Sequence, residues 1–439
     1  MTAEIAILNR EAVALAADSA VTMGGGEKIF TSANKIFTLS NYEPVGIMIY
    51  GNANFMSIPW ETIIKTFRKI ISEDSYPSLK EYSDKFIEHL MQYSSVIDSN
   101  EQEEWVNGSI YGFYMSLKKV LDDELDRLLF ENENYTYKDV KRIIERLINS
   151  SYKQWYEEPI LPYFPPTIFE DLSKKYEDKV LKNMKLVFEK LPLTKSQKEK
   201  LKKIAICLFI KAPPQGIWYS GTSGVVIAGF GKDEMFPRLH SFLVEGIVDG
   251  AYLKYKEDKY IEINHQKHAS LHPFAQTEMV YSFMTGVEPN LLSNIESDFN
   301  FLLEEYSNLQ NQLIRETLNV DTEIINLKLK NLRKSMLNKY WTKIQHHRQI
   351  KYINPILTVI SMLPKDELAT VAEALVNLTS FKRRVSMDAE TVGGPIDVAV
   401  ISKGDGFIWI KRKHYFDTEL NPRFIENCYR GLEFGKRKE

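Results

Sequence analysis

The sequence predicts an α+β fold in which two antiparallel β-sheets lie between layers of helices. Three observations predict it: β-rich segments near residues 3–53, 217–265 and 394–416, long helical blocks between them, and hairpin-type turns inside the segments. Without the two longest helical blocks, the remaining residues are about as numerous as those of one domain. Two sheets with helices outside them satisfy this order of elements.

The β-rich segments contain short apolar runs bounded by Gly, Asn and Ser, which is the pattern of consecutive hairpin strands. The first segment contains EIAIL, AVALAA, KIFTL and VGIMIYGNA, with the Gly-rich turn MGGGEK after the second run. The second segment contains SGVVIAGFG, PRLHSFLVEGIV and KYIEINH. The third contains IDVAVISKGDGFIWI, in which Asp-Gly predicts a tight hairpin turn.

Helices are predicted between these segments because apolar residues recur there at helical spacing. Two helices follow over residues 55–93, a first block continues to about residue 212, and a second block covers residues 290–364. The prolines of PILPYFPPTIFE (159–170) are expected to interrupt the first block. A final amphipathic helix is predicted over residues 367–384. Irregular apolar spacing in the blocks favours packing onto the sheets over coiled-coil association with a partner.

The composition is that of a globular protein with a substantial core. Of 439 residues, 44% are hydrophobic and 26% are charged. A formal net charge of −3 argues against a general role on nucleic acids or membrane surfaces. Cys207 and Cys428 are the only cysteines, which suits a reducing compartment and provides no disulfide framework. Since neither a signal peptide nor a membrane-length apolar run is evident, we expect a cytoplasmic protein.

The first β-rich segment carries several polar residues at a distinctive spacing. Asp18, within AADSAVT, follows Thr2 by sixteen residues; NKIF then supplies Lys35, and IYGNA supplies the turn Gly51-Asn52-Ala53. This arrangement resembles the start of a proteasome β-type subunit, a threonine peptidase of the N-terminal-nucleophile (Ntn) hydrolase class. In that family a mature N-terminal Thr begins the first strand, an acid follows sixteen positions later, and a Lys precedes an apolar-aromatic pair. Here Lys35 falls one residue late, and Asn52 replaces the family's Asp.

Three later stretches extend the resemblance, so that it covers about half of the chain in the expected order. VVIAGFGKDEMFPRLHSF resembles a strand pair of the family, and HASLHPFAQ resembles its G-S-G-S-P-F-A loop, which puts Ser270 at the position of a catalytic-cluster serine. MDAETVGGPIDVAVIS resembles the D-x-x-S-G-G-x-I-D-V-A-V-I element and is the most specific match. It offers Asp388 as the second acid, with Glu390 as the alternative.

The resemblance implies the four-layer αββα sandwich of Ntn hydrolases, interrupted by two large helical insertions. The predicted division of the chain comprises three core parts and the two insertions between them. In order these are core 1–94, helical insertion 95–212, core 213–287, second helical insertion 288–364, and core with C-terminal tail 365–439.

The activity implied by the resemblance is amide or peptide hydrolysis through an ester acyl-enzyme on Thr2, after removal of Met1. A threonine hydroxyl is a weak nucleophile, and the α-amine beside it, with a pKa of about 7.7–8.0, can act as its base. Lys35 would stabilise negative charge and lower the pKa of the amine, and Asp18 would keep Lys35 charged and oriented. Ser270 and Asp388 would join the amine in a hydrogen-bond network.

The family pattern also assigns oxyanion or substrate-binding positions to Met48, Gly46 and Thr22. Met48 can provide an oxyanion donor although it is not a glycine, because the backbone N–H of any residue except Pro can do so. Neither a metal nor an organic cofactor is expected. Three nearby histidines lack a matching Cys or carboxylate cluster, and structural roles are favoured for them over metal binding: His265, His268 and His272.

The expected substrate is a peptide or unfolded protein. The resemblance further implies a homo-oligomer, for which a ring is one form, with an ATPase or unfoldase partner; no nucleic acid or membrane is expected to bind. Two alternatives remain open from the sequence. One is an amidase of the same fold that acts on small amides, and the other is a non-catalytic scaffold of that fold that binds a protein partner. Retention of Met1 would favour the scaffold, because Thr2 would then have no free amine.

Overall fold

The computed structural model describes residues 2–23, 28–131, 136–214, 221–318, 323–386, 392–414, 416–417 and 419–423. These residues form a mixed helical and β-sheet protein with antiparallel sheets. The chain divides into two units. One combines Met1–Ile36 with Glu262–Glu439, and the other is the continuous stretch Phe37–Ile261. The five-part division expected from the sequence stays a prediction.

The secondary structure within those ranges follows the expected alternation of strands and helical blocks. The strands are β1 Ala3–Asn9, β2 Ala12–Ala17, β3 Val21–Met23, β4 Lys28–Phe30, β5 Ile36–Thr38, β6 Val45–Gly51, β7 Asn54–Phe55, β8 Ile58–Pro59, β9 Ser223–Gly229, β10 Arg238–Val248, β11 Tyr252–Glu262, β12 Ala269–Ala275, β13 Asp397–Ser402 and β14 Gly406–Lys411. The helices are α1 Trp60–Ile71, α2 Leu79–Gln92, α3 Ser99–Glu131, α4 Tyr137–Glu157, α5 Ile168–Lys175, α6 Glu177–Phe188, α7 Lys195–Ile210, α8 Glu278–Thr285, α9 Pro289–Leu318, α10 Glu323–Arg348, α11 Asn354–Ile360 and α12 Lys365–Val385. In the part of the chain that is described, none of these helices has both the length and the apolar character needed to cross a membrane.

The sheet of the first unit has the strand order β12-β1-β2-β13-β14. Its neighbouring strands are antiparallel, and residue Ala6 of β1 lies between Leu15 of β2 and His272 of β12. One face packs against α12, whose buried residues recur at helical spacing. The apolar cluster between them includes Ile5, Ile7, Ala14, Val398, Leu368, Ala372, Leu375 and Val376.

The predicted Asp-Gly turn between the last two strands is confirmed. Ser402 pairs with Gly406, and the Ser402 hydroxyl accepts a hydrogen bond from the backbone N–H of Asp405. Gly406 has a φ of +74°, a conformation that glycine adopts at low cost. This local signal was therefore sufficient to locate the hairpin.

The sheet of the second unit has the strand order β11-β10-β9-β6-β5. Helices α1 and α2 pack against one face, because their apolar residues recur every three or four positions. The shared cluster includes Ile47, Ile49, Val225, Ile227, Trp60, Ile64, Phe67 and Phe86. The hairpin strands predicted near residues 217–265 are therefore present as β9, β10 and β11.

The first helical block, α3 to α7, builds a core of its own within the second unit. Tyr114, Trp155 and Phe209 are fully buried in its cluster, which reaches the sheet at Val248 of β10. The predicted interruption by proline is confirmed, since α4 ends at Glu157 and α5 begins at Ile168. The block therefore buries most of its apolar residues among its own helices and contacts the sheet through a smaller set.

The second helical block differs from the expectation that it packs onto a sheet. Helices α9 and α10 carry large apolar side chains that stay in contact with solvent, including Phe301, Leu313 and Met336, each more than 60% exposed. The expectation is wrong for these two helices because their apolar residues form more than one stripe, and only one stripe can face the neighbouring helix.

Candidate active site

Thr2, Asp18 and Lys35, three of the residues proposed from the sequence, all lie in the first unit. Thr2 precedes β1, Asp18 follows β2, and the antiparallel pairing of these strands brings the two ends side by side. The Asp18 N–H donates to the carbonyl oxygen of Ala3 at 3.2 Å, and the Ala3 N–H donates to Asp18 Oδ1 at 3.1 Å. All three predicted residues are buried.

The Asp18 carboxylate is held by four donors. Beside the Ala3 N–H, its oxygens accept hydrogen bonds from the N–H of Ala20 at 3.3 Å and the N–H of Gly393 at 2.9 Å. Lys35 Nζ lies 2.5 Å from Asp18 Oδ1. Three backbone donors and one cation compensate the negative charge and fix the orientation of the side chain.

Lys35 is a buried cation that contacts two carboxylates. Its side chain precedes β5 and is 6% exposed. Besides Asp18, Lys35 Nζ contacts Glu4 Oε1 at 3.2 Å. A buried ammonium is costly unless paired, and here both partners are themselves buried.

Glu4 is a site residue that the sequence reasoning missed. Its side chain is fully buried, and the two-residue alternation of a strand puts it on the same side of β1 as Thr2. Burial raises the pKa of Glu4 from 4.5 to about 7; Lys35 opposes this increase, and the Asp18 charge adds to it. Neither carboxylate oxygen accepts a hydrogen bond from a residue that the structure describes. An acid inside an otherwise apolar strand was the signal that could have identified it.

The Thr2 hydroxyl is buried and makes no hydrogen bond to a side chain or backbone group that the structure describes. It lies close enough to Glu4 to lower the pKa of that carboxyl slightly, although the geometry falls short of a hydrogen bond. The Thr2 carbonyl oxygen accepts from the N–H of Gln276 at 3.1 Å. Because buried polar atoms are nearly always paired, a buried hydroxyl beside Glu4 without a well-formed hydrogen bond is a candidate functional group.

The VGGPIDVAVIS element contributes backbone rather than side chains to the site. The Ser19 N–H donates to the carbonyl oxygen of Gly393 at 3.2 Å, and the Ser19 hydroxyl donates to that of Pro395. These bonds hold the Gly393 N–H against Asp18. Gly394 has a φ of +78°, and a Cβ there would lie 2.9 Å from the carbonyl oxygen of Thr31. The turn therefore requires glycine.

Ser270 does not reach the site, and its predicted placement there is wrong. It is buried in β12 opposite Leu8, six residues along β1 from Thr2, which corresponds to about 20 Å at the rise of a β-strand. The Ser270 hydroxyl instead lies 2.6 Å from His272 Nε2. The residue at the site end of β12 is Gln276, whose side-chain oxygen accepts from Arg383 Nε at 2.6 Å.

The remaining predicted positions are not tested by this geometry. Asp388 and its alternative Glu390 lie outside the described residues. Thr22 pairs with Ile29 in the β3–β4 hairpin, and its side chain is outside the described part. Met48 and Gly46 lie on β6 in the second unit, opposite Val226 and Ala228.

The histidines considered as metal ligands have protein partners of their own. His268 Nε2 lies 2.8 Å from the carbonyl oxygen of His265, and His272 contacts Ser270. Within the described ranges, no three or more His, Cys, Asp and Glu side chains group in a way that could hold a metal ion.

No protein-family model and no curated protein matches the sequence. Among solved structures, the chain is similar to Anbu (ancestral beta-subunit) from Yersinia bercovieri, with 8% identity, 100% of this chain and 97% of that chain covered, and a TM-score of 0.26. It is also similar to an Anbu (Gly-1) mutant from Hyphomicrobium sp. strain MC1, with 9% identity, coverage of 100% and 99%, and a TM-score of 0.28. A second Anbu structure from that strain is 9% identical to this chain, with 100% of this chain and 98% of that chain covered and a TM-score of 0.27. TM-scores this low establish neither the fold nor an activity for this chain.

Proposed function

We propose that the protein is a proteasome-like, threonine-type amide or peptide hydrolase that uses Thr2 as its nucleophile after removal of Met1. The observation that carries the proposal is the buried Thr2 hydroxyl beside Glu4, at the end of β1 where Lys35 contacts both Glu4 and Asp18. A nucleophile with a neighbouring cation and an orienting acid is the arrangement that nucleophilic catalysis needs.

In the proposed reaction, the free α-amine of Thr2 is the base. It takes the proton from Oγ1 as that oxygen bonds to the substrate carbonyl carbon. Collapse of the tetrahedral intermediate breaks the carbon–nitrogen bond, and the ammonium returns the proton to the leaving amine. Water then attacks the ester, the amine takes a proton from that water, and release of the carboxylic acid restores Thr2.

The buried charges around Thr2 would tune this reaction. Lys35 lowers the pKa of the amine and stabilises negative charge on Oγ1, and Asp18 holds Lys35 in place. Glu4, whose pKa is about 7, opposes Lys35 once it ionises. Protonated Glu4 therefore favours a free amine at a given pH, and ionised Glu4 disfavours it.

We also infer that the two helix-backed sheets belong to a four-layer αββα sandwich. In each sheet one face packs against helices, which are α12 in the first unit and α1 and α2 in the second. The side chains of the opposite faces are buried as well, including Ala6 and Leu8 on β1 and Met48 and Tyr50 on β6. Each sheet is thus buried on both of its faces, which is what this fold requires of an inner layer.

Hydrolysis of fluorogenic peptide amides and of casein tests the proposal. Wild type and Thr2→Ser should turn over a peptide, because both keep a hydroxyl and an amine, whereas Thr2→Ala should lose turnover while unfolding at an unchanged temperature. Equal turnover by Thr2→Ala would refute the proposed nucleophile. Turnover of peptides but not casein would favour the small-amide amidase. Retention of Met1 with no turnover would favour the binding scaffold.

The assembly implied by a proteasome-like subunit is part of the same proposal. A homo-oligomer such as a ring would enclose Thr2, and an ATPase or unfoldase would deliver unfolded protein. Sedimentation of the purified chain as a monomer at every concentration would refute this part and leave hydrolysis of short peptides as a separate question.

A further inference from the structure

Helices α9 and α10 form an antiparallel hairpin in the first unit. The rings of Phe299 and Tyr340 lie 5.2 Å apart, and Arg333 Nη2 lies 3.6 Å from Glu304 Oε1. Half-buried apolar side chains line the inner seam between the two helices. These inner residues are Phe299, Leu303, Ile314, Leu329, Leu337, Trp341 and Ile344.

Helix α9 carries a second apolar stripe, beside the inner seam. Its members are spaced by three, four or seven residues, which at about 100° per residue confines them to a sector of about 60°, roughly 90° from the inner seam. They are Leu291, Ile295, Leu302, Tyr306, Leu309 and Leu313, each between 45% and 61% exposed. An exposed stripe of this length is the pattern of a helix that packs against a further helix.

Helix α10 carries a matching stripe. Leu332, Met336 and Tyr340 follow one another at four-residue spacing and are 57%, 61% and 44% exposed. Each stripe is rotated by about 90° in the same sense from the inner seam of its own helix, and in two antiparallel helices this puts both stripes on the same side of the hairpin. Together the nine residues of the two stripes form one apolar surface, called here the hairpin surface.

The charges beside the hairpin surface have opposite signs on the two helices. Helix α9 has five acidic side chains and one basic, and α10 has seven basic and one acidic, histidines excluded. At helical spacing, three charges on each helix border its stripe on the side away from the inner seam. They are the exposed Asp298, Glu305 and Glu316 on α9 and the exposed Lys328, Lys339 and Lys343 on α10.

We propose that the hairpin surface binds the hairpin surface of a second copy of the chain, forming a four-helix bundle. With a two-fold axis along the helices, each acidic α9 lies beside the basic α10 of the other copy, and like-charged helices are diagonal. Asp298 then meets Lys339 of the other copy, because these residues adjoin Phe299 and Tyr340, which lie at one level. An axis perpendicular to the helices would put α9 against α9 and acid against acid, which is unfavourable.

The proposal is independent of catalysis at Thr2, and sedimentation velocity of the full-length chain tests it. Leu302→Glu should raise the dissociation constant about a hundredfold or more, because a buried leucine is lost twice in the symmetric bundle. Phe301→Glu is the matched control: Phe301 is the adjacent residue, 67% exposed and about 100° away from the stripe, so its substitution should leave association unchanged. Association that persists in Leu302→Glu, or that is lost equally in Phe301→Glu, would overturn the proposal, as would a monomeric wild type.

Charge reversal tests the pairing of α9 with α10. Asp298→Lys and Lys339→Asp should each weaken association severalfold, and the double variant should recover most of it, because the reversed charges attract again. Tighter association of Asp298→Lys alone would indicate α9 against α9 and would overturn the proposed arrangement. Circular dichroism of each variant verifies that both helices stay folded.

Discussion

Replacing Glu4 with Gln should change how the stability of the protein depends on pH. The side chain is fully buried, and its pKa is raised from 4.5 to about 7, chiefly by desolvation. Between these pH values the folded protein keeps a proton on Glu4 that the unfolded chain releases. The folded state therefore loses stability as the pH rises from 4.5 to 7, and the loss is complete above about pH 7.

The expected magnitude follows from the two pKa values. Their difference of about 2.5, at about 1.4 kcal/mol for each pKa unit, corresponds to about 3.5 kcal/mol, of which about 3 kcal/mol falls between pH 4 and pH 8. Glu4→Gln keeps the shape of the protonated acid and cannot ionise. The free energy of unfolding of the variant minus that of wild type should therefore increase by about 3 kcal/mol from pH 4 to pH 8.

Urea unfolding at several pH values, followed by far-UV circular dichroism, measures this difference. Glu296→Gln is a suitable control, because Glu296 is exposed on α9 and the same substitution there should produce a nearly constant difference. A difference between Glu4→Gln and wild type that stays flat from pH 4 to pH 8 would refute the description of Glu4 as a desolvated acid.

Three further comparisons, measured by urea or thermal unfolding, test the site and the packing that supports it. Lys35→Met should lower the free energy of unfolding by about 3 kcal/mol or more at pH 8, since two buried carboxylates lose their cation. A loss below about 1 kcal/mol would contradict the buried pairing of Lys35 with Glu4 and Asp18. Leu368→Ala, at a fully buried site between α12 and the sheet, should lower the free energy of unfolding by about 3 kcal/mol. The control Leu378→Ala, 36% exposed on the same helix, should lower it by less than about 1 kcal/mol. Equal losses in the two variants would contradict the packing of the Leu368 face of α12 against the sheet. Gly394→Ala should destabilise by about 1–3 kcal/mol, because its φ is +78° and the added Cβ meets a carbonyl oxygen; an unchanged melting temperature would contradict the geometry of that turn.

The parts of the fold that the sequence predicts are those specified by neighbouring residues. The Asp-Gly turn before Gly406 and the break before Ile168 depend on residues within a few positions. The same holds at the site, where Asp18 reaches Ala3 because β1 and β2 form one hairpin. Spacing along the chain is informative when a single hairpin separates the residues.

Ser270 shows where such reasoning fails. Its distance from Thr2 depends on the register between β1 and β12, which are joined by more than 250 residues of intervening chain. A motif match can be displaced along a strand without disturbing the alternation of buried residues. Here the match is six positions from the strand end at which Gln276 meets Thr2.

Glu4 and the hairpin surface were missed for different reasons. The alternation of β1 already places Glu4 on the side of Thr2, so the acid was predictable from the strand pattern alone. The exposed stripes on α9 and α10 were not, because periodicity shows that a helix has an apolar face but does not show which element covers it. Leu302 and Met336 are about 60% exposed, which shows that no described element covers these stripes.

Intact-mass spectrometry before and after treatment with a peptide β-lactone, which acylates nucleophilic hydroxyls, tests the role of Thr2 most directly. The untagged protein should have the mass of the chain without Met1 and should gain the mass of one inhibitor. Thr2→Ala should also lose Met1 but gain no inhibitor. A wild-type protein that retains Met1 and stays unmodified would contradict the proposal that Thr2 is an N-terminal nucleophile.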